Sequence, residues 1–265
     1  MSAGKSNKTK LLVVGYPRGG TSLVGNYLAA AGMRTVVDDR RGDDYPAGFM
    51  EHLPILLFNK ACERLRGKRD RLTEDSLLEE SFLEICCMRK MFDDAYAVLR
   101  DPNIDFIKSP DLALALDFMI ERFPGLKILG VWRKPDTAIE SFYKREFGRI
   151  PSLENLYYSI GTWNMYAQRL VEFKKRYPSL IQIVSVDSSV NDASHICHAI
   201  EALGFELKNK PSIEVALGKR WRTTSGTFWK TIPLWEKVFR YLGPERNIPY
   251  FRTSANHNLL KNFSQ

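Results

Sequence analysis

The residues best equipped for chemistry lie close together near the start of the chain, in Gly15-Tyr16-Pro17-Arg18-Gly19-Gly20-Thr21-Ser22. An apolar run, Leu11 to Val14, leads into them, and a helix-like segment leads out from Thr21. A strand, a glycine-rich turn and a helix start, in that order, make an anion site. The loop amides and first-turn N–H groups lack internal partners, and the helix dipole favours negative charge there. Arg18 adds a full positive charge, and Thr21 and Ser22 add hydroxyl donors. Glycines also serve any tight turn. The added arginine, Gly-Gly pair and Thr-Ser pair sharpen the reading to a loop that holds a phosphate-like group.

A second constellation follows a later apolar run. Val131-Trp132-Arg133-Lys134-Pro135 leaves a strand pattern and enters a helix pattern, and Ser141 comes eight residues after Arg133. A strand-end arginine supplies a bidentate fork and a serine two turns into the next helix supplies a hydroxyl, so the pair suits one anion. Taken alone, a surface arginine and an unrelated helical serine explain this segment equally well.

These residues need a scaffold that carries them to one place. Thr21 to Ala31 reads as a helix, with Thr21 or Ser22 as its cap and Gly32 at its left-handed end. Arg34 to Val37 reads as a short strand, and Asp38 to Gly48 as a polar surface loop. Helical spacing follows over 53–66 and 73–99, ended by Asp101-Pro102-Asn103. Phe106 to Lys108 is a strand and Asp111 to Phe123 a helix stopped by Pro124-Gly125. Lys127 to Trp132 is a strand, Pro135 to Phe147 and Leu153 to Tyr177 are helices, Ile181 to Val186 is a strand and Ala193 to Leu203 a helix. Beyond Lys210 the pattern weakens into helices and loops. Alternating strands and helices with continuous apolar strands predict an α/β fold, a mostly parallel sheet covered on both faces. Ligands in such folds sit at the C-terminal ends of the strands.

Composition narrows the class. At 265 residues the chain reads as one elaborated domain, 1–265, with 1–9 flexible and 38–100 an insertion on the acceptor side. No apolar run approaches the roughly 20 residues a membrane helix needs, and no signal-peptide pattern opens the chain, so a cytoplasmic location is expected. The net charge of +8 suits anionic partners. The basic residues are scattered, and no zinc-finger, RNP or heptad pattern is present, so no nucleic-acid partner is expected. Cys62, Cys86, Cys87 and Cys197 form no CxxC pair, so no metal site is expected and the thiols read as reduced.

Together the two constellations resemble one family. Tyr16-Pro17-Arg18-Gly19-Gly20-Thr21-Ser22 is similar to the 5′-phosphosulfate loop of the sulfotransferases, and Arg133 to Ser141, with its basic-Pro start and following aromatic pair, is similar to their 3′-phosphate site. The resemblance implies a P-loop-like three-layer fold with a central mostly parallel sheet flanked by helices. It also implies the donor 3′-phosphoadenosine 5′-phosphosulfate (PAPS) and transfer of a sulfuryl group to a hydroxyl or amine of a small-molecule or carbohydrate acceptor. It casts Arg18 at the leaving phosphate, where many relatives carry Lys, with Gly19 and Gly20 admitting the backbone amides and Thr21 and Ser22 donating to the 5′-phosphate. Arg133 and Ser141 then hold the 3′-phosphate. Arg222, Gly226, Trp229 and Lys230 partly resemble the family's late 3′-phosphate loop, but Thr223 and Thr224 replace its Lys-Gly. Lys219 and Arg220 are possible substitutes for Arg222.

Two departures matter. Leu23 stands where cytosolic relatives carry an adenine-stacking Trp. Pro110, in Lys108-Ser109-Pro110-Asp111, stands where they carry a catalytic His. Gly48-Phe49-Met50-Glu51 looks like the Gly-x-x-Glu stretch of bacterial carbohydrate-type members, which makes Glu51 the expected general base, with His52 and Asp111 as alternatives. Glu51 also reads as a helix-start carboxylate favoured by the dipole. Lys108 reads equally as a site-lining residue or a surface lysine. Tyr157, Tyr158, Trp163 and Tyr166 are candidate acceptor-side aromatics. Two other functions compete. Gly15-x4-Gly20 has the spacing of a P-loop kinase or nucleotide hydrolase, but Thr21 replaces the lysine that reaches the β- and γ-phosphates. Loss of the usual His leaves open a non-catalytic protein that binds a nucleotide or an anionic polymer.

Overall fold

The computed structural model describes residues 9–35, 93–94, 97–148, 152–216 and 256–264. Glu51, His52 and Arg222 lie outside them, as do Lys219, Arg220, Gly226, Trp229, Lys230, the loop 38–48, the helix expected over 53–66 and most of that over 73–99.

The apolar runs become four strands: β1 (Lys10–Gly15), β2 (Phe106–Lys108), β3 (Leu126–Trp132) and β4 (Ile181–Ser185). They form one sheet in the order β2-β1-β3-β4, and all three pairings are parallel. Parallel neighbours need crossovers, and these run through helices. α1 (Thr21–Ala30) follows β1, and a 3₁₀ segment (Pro110–Ala115) and α2 (Leu116–Arg122) follow β2. α3 (Pro135–Glu146) and α4 (Leu153–Arg176) follow β3, and α5 (Val186–Ser189), α6 (Ser194–Ala202) and α7 (Ile213–Ala216) follow β4.

Alternation along β1 divides the core in two. Leu11 and Val13 pack with α1 and α6 on one face, while Leu12 and Val14 pack with α2, α3 and α4 on the other. This is the three-layer arrangement expected, and every residue of β1 is buried because helices cover both sides. Helix ends follow local chemistry. Gly32 adopts φ 90 and closes α1, with Gly32 N–H on Ala29 O and Met33 N–H on Leu28 O. Pro135 opens α3, where a missing N–H costs nothing. Ser152 caps α4 by accepting from Asn155 N at 3.4 Å.

Several expectations change. α1 is capped by Gly20 in the left-handed region, with no side-chain cap from Thr21 or Ser22. Arg34 and Thr35 form no strand. The Arg34 carbonyl instead accepts from both Asp105 N and Phe106 N, and its guanidinium forks onto the Asp105 carboxylate with two bonds of 3.0 Å. The chain is therefore tied to the start of β2 without forming a strand. The helix expected from Asp111 begins as a 3₁₀ segment led by Pro110, and becomes α-helical only at Leu116. Trp163 and Tyr166 are buried core residues, because the inward face of the long α4 carries them against the sheet. Tyr158 is 59 % exposed, stacked at 26° on Phe142. Cys197 is a buried free thiol, in contact with the Tyr27 hydroxyl at 3.1 Å.

Candidate functional site

The strand order fixes where a ligand sits. From β1 the chain passes to β2 on one side, and from β3 it passes to β4 on the other. The crevice outside the carboxyl ends of β1 and β3 is therefore the topological switch point, the usual ligand position in open parallel sheets. The loop 15–20 and the residues Arg133 and Lys134 leave the sheet at that crevice.

The loop is built by close approach. Gly15 pairs with Val131 of β3, and a Cβ on Gly15 would lie 2.1 Å from the Val131 carbonyl oxygen. Gly19 N donates to Tyr16 O at 2.7 Å and tightens the turn. Gly20 takes φ 95 directly against Val186, at the exit of β4. Arg18 has φ 70, and among the described residues it is the one non-glycine with positive φ. Such a conformation costs of order 1 kcal/mol and marks a position held by its surroundings. Tyr16 supplies part of that hold. Its ring lies 5.2 Å from Phe142 and meets Tyr166 edge-on at 5.7 Å. Burial, followed by the nearby Tyr158 and Glu146, pushes the Tyr16 hydroxyl above its ordinary pKa, so it stays protonated and donates to Ser159 O at 3.5 Å.

From this loop the Arg18 Nε donates to Ser141 Oγ at 3.1 Å. The two constellations read separately in the sequence are thus joined side chain to side chain across the crevice. Lys108, the last residue of β2, is 1 % exposed and its Nζ donates to Ser22 Oγ at 3.3 Å. The surface-lysine reading of Lys108 is therefore excluded. Arg133 is buried at the exit of β3, with its Nε 3.6 Å from Asp187 Oδ1. Lys108, Arg18 and Arg133 bring three cationic side chains to the carboxyl ends of three adjacent strands, spaced about 4.8 Å apart. Gly19 and Gly20 form the turn between them, Thr21 is buried, and Ser22 is half-buried at the start of α1. This arrangement suits an elongated polyanion laid across the strand ends.

Three further residues belong to the surroundings. Asp187 Oδ2 accepts from Lys134 N at 2.7 Å, so the carboxylate grips both residues at the β3 exit. Its only signal in the sequence was a carboxylate just after a strand. Asp111 lies in the first turn after β2, and its Oδ1 accepts from the Tyr166 hydroxyl at 2.7 Å. His257, in the helix over 256–263, sets its ring 5.4 Å from that of Trp132 and brings the end of the chain to the β3 exit. Burial is the main cause that lowers the His257 pKa. Nothing local in the sequence links positions 132, 187 and 257. Among the described residues no group of His, Cys, Asp and Glu is arranged to hold a metal, and no helix is long and apolar enough to cross a membrane.

Comparison with known proteins gives a family match. The family model described as "Sulfotransferase family" matches residues 11–188, which run from the second residue of β1 through most of α5 and contain both constellations. No curated protein sequence matches. Sulfotransferase STF1 from Mycobacterium tuberculosis H37Rv superposes with a TM-score of 0.49 at 11 % identity, over 88 % of this chain and 76 % of its own. Sulfotransferase STF9 from Mycobacterium avium gives 0.49 at 12 % identity, over 89 % and 77 %. The sulfotransferase domain of the Synechococcus PCC 7002 olefin synthase gives 0.45 at 15 % identity, over 90 % and 97 %.

Proposed function

The chain belongs to the sulfotransferase family, and on that premise we propose that it moves a sulfuryl group from PAPS to a hydroxyl or amine of a small-molecule or carbohydrate acceptor, releasing adenosine 3′,5′-bisphosphate. The observation that carries this reading is the 3.1 Å contact between Arg18 and Ser141, which joins the loop after β1 to the helix after β3. A donor with phosphates at both ends of one nucleoside needs two anion sites within a nucleotide's length, on neighbouring strand ends. A donor with a single polyphosphate tail needs only the first.

In this reading the 5′-phosphate rests on the amide of Gly20, the start of α1, and the Thr21 and Ser22 hydroxyls, while Gly19, whose N–H is held by Tyr16 O, leaves room for its close approach. Arg133 and Ser141 take the 3′-phosphate, with Arg222 as a further contact. The acceptor oxygen or nitrogen attacks sulfur as the bond from sulfur to the 5′-phosphate oxygen breaks. That phosphate oxygen leaves with the electron pair. Fixed cations act where this charge grows, and there they are worth more than in water. Arg18 supplies one, and Lys108, buried against Ser22, supplies another. The acceptor's proton passes to a carboxylate, for which Glu51 is the candidate. The whole chain, 1–265, acts as one domain in the cytoplasm, with 38–100 on the acceptor side.

A thermal-shift titration tests the donor. Adenosine 3′,5′-bisphosphate should raise the melting temperature without metal, by linkage worth about 2.7 kcal/mol at a hundredfold excess over Kd. Stabilisation by ATP with magnesium, and none by the bisphosphate, would refute the reading in favour of a kinase or hydrolase.

A further inference from the structure

Beyond the residues that touch the donor, we infer that Asp187 is the positioning residue for its 3′-phosphate site, holding Arg133 in the orientation that distinguishes a 3′-phosphorylated nucleotide from one without that group. The inference rests on the proposed donor. Its observations are the two grips of one carboxylate: Oδ1 is 3.6 Å from Arg133 Nε, and Oδ2 accepts from Lys134 N at 2.7 Å. The backbone bond fixes the carboxylate to the strand exit, and the fixed carboxylate then attracts the guanidinium at ion-pair distance. The pair is well shielded, with the Arg133 side chain 7 % exposed and that of Asp187 22 %.

Arginine has many rotamers, and an arginine that must be ordered when its ligand arrives binds more weakly than one ordered beforehand. Asp187 faces the Nε edge of the fork at 3.6 Å, an ion-pair contact longer than a hydrogen bond, and its attraction favours the rotamers that keep the guanidinium at the strand exit. The same carboxylate carries a negative charge near the incoming phosphate, which opposes binding. These two effects have opposite signs. Were Asp187 only a nearby charge, neutralising it would tighten binding of the bisphosphate. As a positioning residue, its neutralisation loosens a shielded arginine and weakens binding. Loss of one partner of a shielded charge pair is the larger effect, because the guanidinium gives up a carboxylate that is anchored to the strand exit.

The test is calorimetric titration of the full chain with adenosine 3′,5′-bisphosphate and with AMP, which lacks the 3′-phosphate. The Asp187→Asn variant keeps the shape and an acceptor for Lys134 N. It should bind the bisphosphate roughly 10- to 100-fold more weakly while its affinity for AMP stays within about twofold of the parent. If Asp187→Asn lowers the melting temperature too far for titration, Asp187→Glu serves instead. It retains the charge but displaces it by one methylene, and the same selective loss is expected. Unchanged or tighter bisphosphate binding would overturn the inference, as would equal losses for both nucleotides, which indicate a structural role alone. If the unmodified protein itself fails to prefer the bisphosphate over AMP, the proposed donor is refuted rather than the role of Asp187 within it.

Discussion

Replacing Gly20 with alanine tests how the loop after β1 is held. Two penalties follow from its position. First, φ is 95 with ψ 11, a left-handed conformation that costs an L-residue about 1–2 kcal/mol. Second, the new Cβ would lie 2.5 Å from Val186 Cγ2 and 2.9 Å from Cγ1. Carbon atoms rest at about 3.5–4.0 Å, so loop and β4 exit must separate by about 1 Å. Overpacking of this kind typically costs about 1–3 kcal/mol. The sum is a loss of about 2–5 kcal/mol, read by urea unfolding of the two proteins. A 1 Å displacement of a binding loop also costs about 100-fold in turnover. The two penalties separate in a double-mutant cycle with Val186→Ala, which deletes both offending methyls. The cycle should return a favourable coupling of about 1–2 kcal/mol, with the backbone penalty unrelieved. A coupling near zero would refute the steric part of this reasoning. A Gly20→Ala protein of unchanged stability would refute all of it.

Other expectations follow from single side chains. Lys108→Met replaces a buried ammonium with an apolar chain of similar length, so the melting temperature should change little while turnover falls about 100- to 1,000-fold. Equal turnover in steady-state assays would remove Lys108 from the reaction. His257 has its pKa lowered from 6.5, chiefly by burial, so the folded protein favours the neutral ring. Below that value the unfolded chain binds the extra proton. The contribution of His257 is therefore complete above about pH 6.5 and is lost as pH falls. Melting temperatures of the parent and His257→Phe proteins between about pH 5 and pH 8 should diverge in slope on the acid side, and parallel curves would contradict this.

The elements that follow one local signal were legible in the chain. β1, β2, β3 and β4, and the helices that begin at Thr21, Pro135 and Leu153, lie within a residue or two of their expected limits. Each is fixed by an apolar run or by a Pro or Gly at its end, and these act over a few residues. Arg34 departs from the expected strand because its strand-like sequence gives no hint of Asp105, 71 positions away, whose carboxylate holds its guanidinium. The cap of α1 differs from expectation because Thr21 and Ser22 are good caps by type, while close packing against Val186, just past β4, favours a left-handed glycine before them. Trp163 and Tyr166 look like a binding surface by composition, yet the face of α4 that carries them turns toward the sheet.

The same division holds for the site. The residue types at 15–22 point to an anion loop by themselves, since glycine, arginine and hydroxyl chemistry is local, whereas 133–141 taken alone reads equally as a surface arginine and an unrelated serine. Their convergence is a property of the sheet. Only the strand order β2-β1-β3-β4 brings Lys108, Arg18 and Arg133 to adjacent strand ends, lets Arg18 reach Ser141, and sets Asp187 against Arg133. Residues 18 and 141 are 123 positions apart, and no rule of local propensity or period spans such a distance. Parallel pairing spans it, because each crossover returns the chain to the same edge of the sheet and gathers the strand ends into one crevice.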